Sequence, residues 1–486
     1  MEGKNDLKAG VRAGYAFFYC RTLEVKSTLE AIREVSSELP DFQVEIFDLE
    51  ENQDPEGFLY SIEKMKPRTI VVAKNFHWFL KDDYGNINKA MVQYIQNRVE
   101  IWISKEYRKT LIILGDISMD KAIPECLRKD FLEINFPLPN KEEIKTVFDS
   151  IANSAKASPK YQPPTEEEIE LIIQNSKGLS RRELGNAYAF TLIKNEGKFD
   201  PKTVAMIQAS EVEKTAGLKI GEYKDLPEPL GYDAIKEFVL PTINHPDSKG
   251  ILLLGPPGTG KTHFAQWVGS KSGLKVIEME MARMQGEGLY GQAENAWAKA
   301  IEVIIANTPC ILFIDEIEKG LAGLNSSGQN DGGTGKRSAS QFLKLLSNRP
   351  EGLYVIATCN DISQLPPEYV RAERWDCAPF FIDLPNKEEA TKILDFYKTS
   401  YNVDGEPSTL EGWSGAEIKS VCRICSMFKK TKKGIKLQDV ERFVIPVSKT
   451  LGERIEDLRK WAKDRTIPAS TKINGKSEIK QRDIDL

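Results

Sequence analysis

The chain has 486 residues, which is too long for a single hydrophobic core and predicts two to four domains. It is 41% hydrophobic and 29% charged, as in globular proteins, and its net charge of −5 is too mild to indicate a nucleic-acid partner. The seven cysteines show no disulfide framework, which suits a reducing compartment. Because no signal-peptide pattern and no apolar run of bilayer length is evident, we expect a cytoplasmic protein without a membrane partner.

The first half alternates short apolar runs with longer amphipathic segments. Three apolar runs rich in β-branched or aromatic residues predict strands: 15–19, 69–73 and 110–114. Residues 25–38 predict a helix between two of these strands. This alternation favours a parallel sheet with helical crossovers, and we expect an α/β domain over residues 1–145. Residues 163–195 have an all-helical pattern, which places a small helical domain at residues 146–216.

The second half repeats this organisation after a stretch rich in Gly and Pro, residues 217–247, which we interpret as a linker. A second α/β domain is expected over residues 217–385, and its clearest strands are 251–254, 311–314 and 353–357. Residues 386–470 predict a helical lid and a C-terminal helix, the latter over 450–465 because apolar residues recur there at helical spacing. The polar residues 471–486 are expected to form a flexible tail.

The chain also repeats part of its own sequence. Residues 138–143 and 384–389 are the identical hexapeptide Leu-Pro-Asn-Lys-Glu-Glu, and weaker matches before and after it keep the same order in both halves. A chance hexapeptide would not bring ordered flanking matches with it, so we interpret the repeat as a duplication. The predicted fold is therefore an α/β chain of tandem units, each a parallel-sheet core followed by a small helical lid.

A phosphate-binding motif opens the second α/β domain. Residues 255–262 fit the pattern G-x-x-x-x-G-K-[ST] between a predicted strand and a predicted helix, the context that this motif requires. Its backbone N–H groups and the helix N-terminus favour phosphate. We expect Lys261 to reach the β- and γ-phosphates of ATP and the Thr262 hydroxyl to bind Mg²⁺. The residues expected to contact the nucleotide are Gly255, Pro256, Pro257, Gly258, Thr259, Gly260, Lys261, Thr262 and His263.

Two acids follow the apolar strand 311–314, at the edge where α/β sheets bind ligands. Asp315 is expected to hold Mg²⁺ through water, and Glu316 to polarise the attacking water. Asn360 follows the next predicted strand, where its amide could hydrogen-bond the γ-phosphate or that water. Each residue alone could be an ordinary turn residue, but the order of P-loop and acidic strand end favours catalysis.

Two arginines complete the candidate catalytic set. Arg371 and Arg374 are three residues apart and can present one cationic face to a transferring phosphoryl group. Alternatively, the two arginines form surface ion pairs with the neighbouring Glu373 and Asp376 and have no catalytic role. The segment taken alone does not distinguish these two interpretations.

These signals, in this order, resemble the AAA clade of the AAA+ ATPases. The resemblance assigns the P-loop to the Walker A motif, the two acids to the Walker B motif, Asn360 to sensor 1 and the arginines to paired arginine fingers. It implies that Gly231 lies in the loop bordering the adenine. It also implies that Gly415 and Ala416, in a lid motif like GxSGADI, lie against the adenosine. The family forms rings, usually hexamers, with fingers supplied by the neighbour, so a homo-oligomer is implied as well.

The end of the chain supports a closer likeness. Residues 447–450 and 458–462 resemble the tail of AAA proteins first noted as a plastid open reading frame and common in cyanobacteria, whose first half is a degenerate AAA-like unit. Two departures from the AAA pattern matter for function. Glu373 stands where the family usually has Gly, and it could pair with Arg374. The pore motif has its aromatic residue one place late, at Tyr290, so gripping a polypeptide and simple packing remain alternatives.

The first half lacks the residues that phosphate and metal binding need. Residues 20–24 contain no glycine loop and no P-loop lysine, and Lys74 and Asn75 stand where two acids would be required. We therefore expect this degenerate unit to bind no nucleotide and to serve as a scaffold or docking surface. The histidines form no H-E-x-x-H motif and Cys422 and Cys425 have no second pair, so no zinc site is expected.

The leading functional hypothesis is an ATPase ring that uses ATP and Mg²⁺ to remodel a protein partner. The alternative is a nucleotide-gated switch or scaffold that hydrolyses slowly and threads nothing. A nucleic-acid motor is disfavoured, because the chain is acidic overall and has no basic stripe.

Overall fold

The computed structural model describes residues 2–47, 54–81, 86–215, 217–221, 223, 226–284, 292–319, 321, 334–430 and 434–470. Over these ranges the chain divides into two compact units, the first ending at Glu211 and the second beginning at Val212. Within the same ranges, none of the helices combines the length and apolar content that a bilayer crossing requires.

The first unit is built on a parallel sheet. Its strands are β1 (Phe17–Thr22), β2 (Gln43–Phe47), β3 (Thr69–Lys74), β4 (Lys109–Gly115) and β5 (Phe131–Phe136). They are ordered β2-β3-β4-β1-β5, and all neighbours are parallel. The three strands predicted from apolar runs are present, because such runs bury both faces of a central strand. The edge strand β2 alternates exposed and half-buried residues and was not predicted.

Helices cover the two faces of this sheet, and a helical part follows it. Those of the α/β part are Glu2–Ala13, Val25–Ser37, Pro55–Ser61, His77–Leu80, Lys89–Ile103, Met119–Ala122 and Glu125–Arg128. Those of the helical part are Lys141–Ala155, Glu166–Gln174, Arg181–Lys194 and Pro201–Glu213. Apolar clusters fill both sides of the sheet and the interior of the helical part. The segment predicted as helical, 163–195, thus contains two helices joined by a turn.

The second unit contains a larger mixed sheet. Its strands are β6 (Leu218–Gly221), β7 (Gly250–Leu254), β8 (Lys275–Met279), β9 (Cys310–Ile314), β10 (Leu353–Cys359), β11 (Phe380–Phe381) and β12 (Ile467–Pro468). The order is β12-β11-β7-β10-β9-β8-β6, with only β6 antiparallel to its neighbour. If β7 to β11 are renumbered 1 to 5 along the chain, these central strands lie across the sheet in the order 5-1-4-3-2. The strands β1 to β5 of the first unit have the same order when the sheet is read from β5 to β2.

The helices of the second unit differ from expectation in one segment. They are Asp233–Thr242, Lys261–Ser272, Met281–Met284, Gln292–Ala306, Thr334–Ser347, Lys387–Tyr401, Gly415–Lys429, Leu437–Val440, Val447–Thr450 and Gly452–Ala462. The interpretation of residues 217–247 as a linker is wrong, because this stretch holds β6 and a helix. Burial of Ile235 and Val239 stabilises that helix despite Pro241 in its last turn. The C-terminal region is also not purely helical, because β12 returns to pair with β11.

The repeated hexapeptide lies at one structural position in both units. Asn140 and Asn386 each cap the first helix after the fifth core strand, and each accepts a hydrogen bond of 3.0 Å from the backbone of the glutamate three residues on. Ser180 and Ser414 begin a later helix of each unit with the same reciprocal capping pattern. The sequence repeat therefore coincides with matching helix starts.

Candidate active site

The P-loop connects the buried strand β7 to the helix Lys261–Ser272. Gly258 and Gly260 have φ values of 80° and 100°, a region in which side chains other than glycine are strained. The loop curls around the side chain of Lys261, whose Nζ donates to the carbonyls of Gly255 and Pro256, each at 2.8 Å. The N-terminus of the helix Lys261–Ser272 faces a cavity.

Lys261 is buried, with only 6% of its surface exposed. Burial lowers the pKa of its ammonium to about 8, and the nearby carboxylate of Asp315 partly opposes this shift. A buried cation whose hydrogen bonds to the described residues go to two neutral carbonyls is costly, so an anionic ligand would stabilise it. The side chain is thus prepared for phosphate.

Asp315 links the P-loop helix to the sheet. Its Oδ2 accepts from Thr262 Oγ1 at 3.1 Å, and its Oδ1 accepts from Thr358 Oγ1 at 2.5 Å. The same Thr358 hydroxyl accepts the backbone N–H of Glu316 at 2.9 Å. One threonine on β10 therefore orients both acids of the predicted pair, a role that residue type and spacing do not reveal.

Glu316 lies at the turn between β9 and the next helical segment, with φ at 50°. This left-handed conformation is uncommon outside glycine and directs the side chain away from the strand axis. Its Oε1 accepts from Asn360 Nδ2 at 2.8 Å, and its Oε2 forms an ion pair with Lys319 Nζ at 2.5 Å. Asn360 Oδ1 is buried without a partner among the described residues, so it can accept a hydrogen bond from water.

A third carboxylate, Glu318, supports this arrangement and was not predicted. It is 2% exposed, and its Oε1 accepts the backbone N–H of Asn360 at 2.9 Å. In the sequence it is simply one more acid two residues after Glu316, on a turn that is already rich in charged residues. It fixes the backbone that carries the Asn360 amide.

One cavity of about 590 Å³ in the second unit is lined by Lys261, Thr262, Asp315, Glu316 and Asn360. The P-loop and helix start supply one wall, through residues 257–263. Asp315, Glu316 and Asn360 form the polar end. The remaining lining is mainly apolar and aromatic, with two charged residues, Glu228 and Lys419, among Pro227, Pro229, Leu230, Tyr232, Ile393, Phe396 and Tyr397. A polar phosphate end and an apolar, aromatic end match the two parts of a nucleotide.

The lid residues named by the resemblance also reach this cavity. Gly415 and Ala416 line it, and the Ala416 N–H donates to Gly258 O at 3.1 Å, which joins the lid helix to the P-loop. Of the other expected contacts, Gly231 lies between the lining residues Leu230 and Tyr232 and has φ at 78°. His263 lines the cavity, and its Nε2 is 2.8 Å from Pro227 O.

Gly255 and Pro256 support the cavity from behind. A Cβ on Gly255 would lie 2.1 Å from Ile382 O, so only glycine fits against the backbone that follows β11. The Pro256 carbonyl accepts from Lys261 Nζ at 2.8 Å and from Thr259 Oγ1 at 2.9 Å. Both residues shape the loop, and neither is among the described residues that line the cavity.

The two arginines lie away from the cavity lining. Arg371 is exposed, and its carbonyl accepts the Arg374 N–H at 3.1 Å. The Arg374 guanidinium donates to the carbonyl of Glu368, and Arg349 donates to the carbonyl of Arg374. The sequence suggested an ion pair between Arg374 and Glu373. In the structure, the Arg374 guanidinium instead contacts the backbone carbonyl of Glu368. Tyr290 lies outside the described residues.

The donor set fits Mg²⁺ and a triphosphate. Thr262 Oγ1 and Asp315 Oδ2 are oxygen donors 3.1 Å apart beside the P-loop, and Mg²⁺ prefers oxygen ligands. Within the described ranges, no group of three or more His, Cys, Asp or Glu residues could hold a metal ion alone. Mg²⁺ usually completes its coordination with phosphate and water oxygens, so the Thr262 and Asp315 pair is a sufficient protein contribution.

Comparison with known proteins agrees with this geometry. Residues 251–381 match the ATPase family associated with various cellular activities (AAA), and residues 3–136 match the N-terminal domain of SpoVK-like AAA ATPases. The chain is 26% identical to the AAA domain-containing protein ycf46 of Guillardia theta, over 95% of both chains. It is 28% identical to ycf46 of Pyropia yezoensis, over 80% of this chain and 82% of the relative.

A more distant relative shares part of the chain. The proteasome-activating nucleotidase of Sulfurisphaera tokodaii is 32% identical over 36% of this chain and 46% of its own. The match to the AAA family covers the P-loop, both acids, Asn360 and both arginines. The chain therefore belongs to the AAA ATPases and has a SpoVK-like N-terminal domain.

Proposed function

We propose that the second unit hydrolyses ATP with Mg²⁺ and that a ring of these subunits uses the reaction to remodel a protein partner. The observation that carries the proposal is the convergence at one cavity end of Lys261, the Thr262–Asp315 pair and the Glu316–Asn360 pair. These are a phosphate cation, a magnesium donor pair, and a base with an orienting amide. Together they are the parts that phosphoryl transfer to water requires.

Each side chain has a distinct role in this proposal. Lys261 leaves its loop carbonyls for the β- and γ-phosphates, and Thr262 and Asp315 hold Mg²⁺, which neutralises charge on the phosphates. Glu316 accepts a proton from the attacking water, and Asn360 Oδ1 orients that water. Arg371 and Arg374 act on the site of a neighbouring subunit, which accords with their position outside the cavity of their own chain.

The first unit is proposed to be a degenerate copy of the second. Their core strands share one order, and their helix starts share one capping pattern. Only Leu23 and Glu24 connect β1 to the helix Val25–Ser37, whereas the P-loop has six residues between β7 and its helix. A connection of two residues is too short to surround a phosphate. Glu24 also accepts the backbone N–H of Arg181 at the start of a lid helix, so a carboxylate fills the space before that helix.

A protein partner is favoured by the relatives. The proteasome-activating nucleotidase and the outer mitochondrial transmembrane helix translocase of Danio rerio are named for actions on proteins. The alternative function is a slow nucleotide-gated switch without threading. It is favoured by one observation in the sequence, the displaced aromatic residue Tyr290 in the pore motif.

The test combines hydrolysis with partner capture. Wild type should release phosphate from Mg·ATP, and Glu316→Gln should bind ATP but turn over roughly 10²-fold more slowly, because the proton acceptor is lost. Near-normal turnover in Glu316→Gln would remove that residue from its role. Partners retained by Glu316→Gln would be identified by mass spectrometry.

The same experiment separates motor from switch through Tyr290→Ala. A motor should keep its basal hydrolysis and lose partner remodelling, because the ring that grips the chain is gone. A switch should keep both, since nucleotide state alone alters the surface shown to partners. Unchanged remodelling in Tyr290→Ala would therefore exclude threading through this residue.

A further inference from the structure

Both carboxylate oxygens of Glu316 are engaged in this structure. Oε1 accepts from the neutral amide of Asn360 at 2.8 Å, and Oε2 contacts the ammonium of Lys319 at 2.5 Å. The first contact comes from another strand and belongs to the proposed catalytic set. The second comes from the same short segment as Glu316 and has no part in the proposed reaction.

The backbone places Lys319 beside Glu316 by itself. The Lys319 N–H donates to Glu316 O at 2.9 Å, which closes the first helical turn after β9. Residues three apart on such a turn face the same side. The ion pair therefore needs neither the lid nor a neighbouring subunit to form.

The two partners have opposite effects on a general base. A neutral amide orients the carboxylate, whereas the Lys319 ammonium forms a charge-assisted hydrogen bond that holds it against its own turn. A carboxylate held in this way is less free to turn toward an attacking water. The contact with Lys319 also occupies Oε2, one of the two oxygens of Glu316 that could receive a proton from water.

Stability does not explain the pair. The Lys319 side chain is 65% exposed and that of Glu316 is 35% exposed. Exposed ion pairs contribute little to folding, because water and salt already screen the charges. The pair therefore does not serve folding, and its consequence lies in the position of Glu316, whose Oε2 it occupies.

We propose that Lys319 is a positioning residue that restrains Glu316 and slows basal ATP hydrolysis until the pair is broken. This inference rests on the ATPase proposed above and adds a regulatory element to the same site. Any event that draws the Lys319 ammonium away, such as an acidic group on a docked partner, would release the base.

The test uses the full chain and steady-state phosphate release from Mg·ATP. Lys319→Gln should raise kcat about two- to fivefold, the size expected from breaking one exposed ion pair. The KM for ATP should stay unchanged, because no phosphate contact is altered. Lys319→Arg should keep the wild-type rate, since it restores the charge. The kcat of Lys319→Gln divided by that of wild type should approach one at high salt, because salt screens the ion pair.

Lys460→Gln is the matched control, because it removes another exposed lysine that pairs with an acid three residues away, Asp457 at 3.2 Å. It should leave kcat unchanged. A kcat for Lys319→Gln at or below that of wild type, with Glu316→Gln still inactive, would overturn the restraint and leave the ATPase standing. Absence of hydrolysis in wild type and all variants would overturn both proposals.

Discussion

Asn75 and Glu316 adopt the same left-handed backbone conformation, with φ at 52° and 50°. Each follows the third core strand of its unit, and the N–H of each donates to the fourth strand, to Leu114 O at 2.8 Å and to Thr358 Oγ1 at 2.9 Å. One geometric position therefore carries an amide in the first unit and a carboxylate in the second. An amide cannot accept a proton from water, so the two units share this backbone geometry without sharing the chemistry proposed for Glu316.

This relationship predicts a single nucleotide site in the chain. Wild type should bind about one Mg·ATP per chain in calorimetry, as expected for one P-loop. Lys261→Ala should abolish tight binding, because the phosphates lose their cation and the first unit offers no replacement. Lys74→Ala, a matched lysine change in the first unit, should retain full stoichiometry. Micromolar ATP affinity remaining in Lys261→Ala would show that the first unit binds nucleotide after all.

A second prediction concerns pH. Burial lowers the pKa of Lys261 to about 8, so the ammonium of the free protein loses its proton as pH rises through that value. ATP favours the protonated form, which means that binding must take up a proton above about pH 8 but not well below it. Affinity should therefore fall roughly fifteenfold between pH 8 and pH 9.5, because half of the ammonium is already lost at the pKa and each further pH unit costs about a factor of ten.

Calorimetry on Glu316→Gln would check this, since that variant is expected to bind without turnover. Two buffers of different ionisation enthalpy would report the proton uptake directly. The triphosphate is already ionised in this range and adds no change of its own. Affinity and proton uptake that stay constant from pH 7 to pH 9 would mean that Lys261 remains charged despite its burial.

The central strands and the main site residues could be predicted from sequence because each has a local signature. β3 and β4 are continuous apolar runs, and the P-loop is defined by residue spacing. β2 was missed because an edge strand of five residues with exposed alternate positions resembles a loop. β6 was missed because the surrounding Gly and Pro residues suggested a linker.

The missing parts of the site were invisible for a different reason. Thr358 and Glu318 act through contacts that exist only once the sheet register and the turn after β9 are formed. Register places Thr358 one residue beyond Ala357, which pairs with Ile314, and so beside the first acid. No spacing rule along the chain encodes such a neighbour.

The last prediction tests the arginines in trans. Arg374→Ala should lower hydrolysis by ~10³, the usual cost of losing an arginine finger. A chain with Arg374→Ala keeps its P-loop, and a chain with Lys261→Ala keeps its arginines. Where the nucleotide site of the first chain meets the arginines of the second, the interface is complete. An equimolar mixture of two inactive variants should therefore regain activity at about a quarter of its interfaces if subunits mix at random in a ring.

Phosphate release across a series of mixing ratios would measure this recovery, with each variant alone as the baseline. Activity should peak near equal amounts, because complete interfaces need one chain of each kind. Normal activity in Arg374→Ala alone would leave Arg371 as the working finger, with Arg374 retained by its contact to the Glu368 carbonyl. No recovery at any ratio, together with a monomeric mass in the presence of ATP, would contradict a ring and favour catalysis by isolated chains.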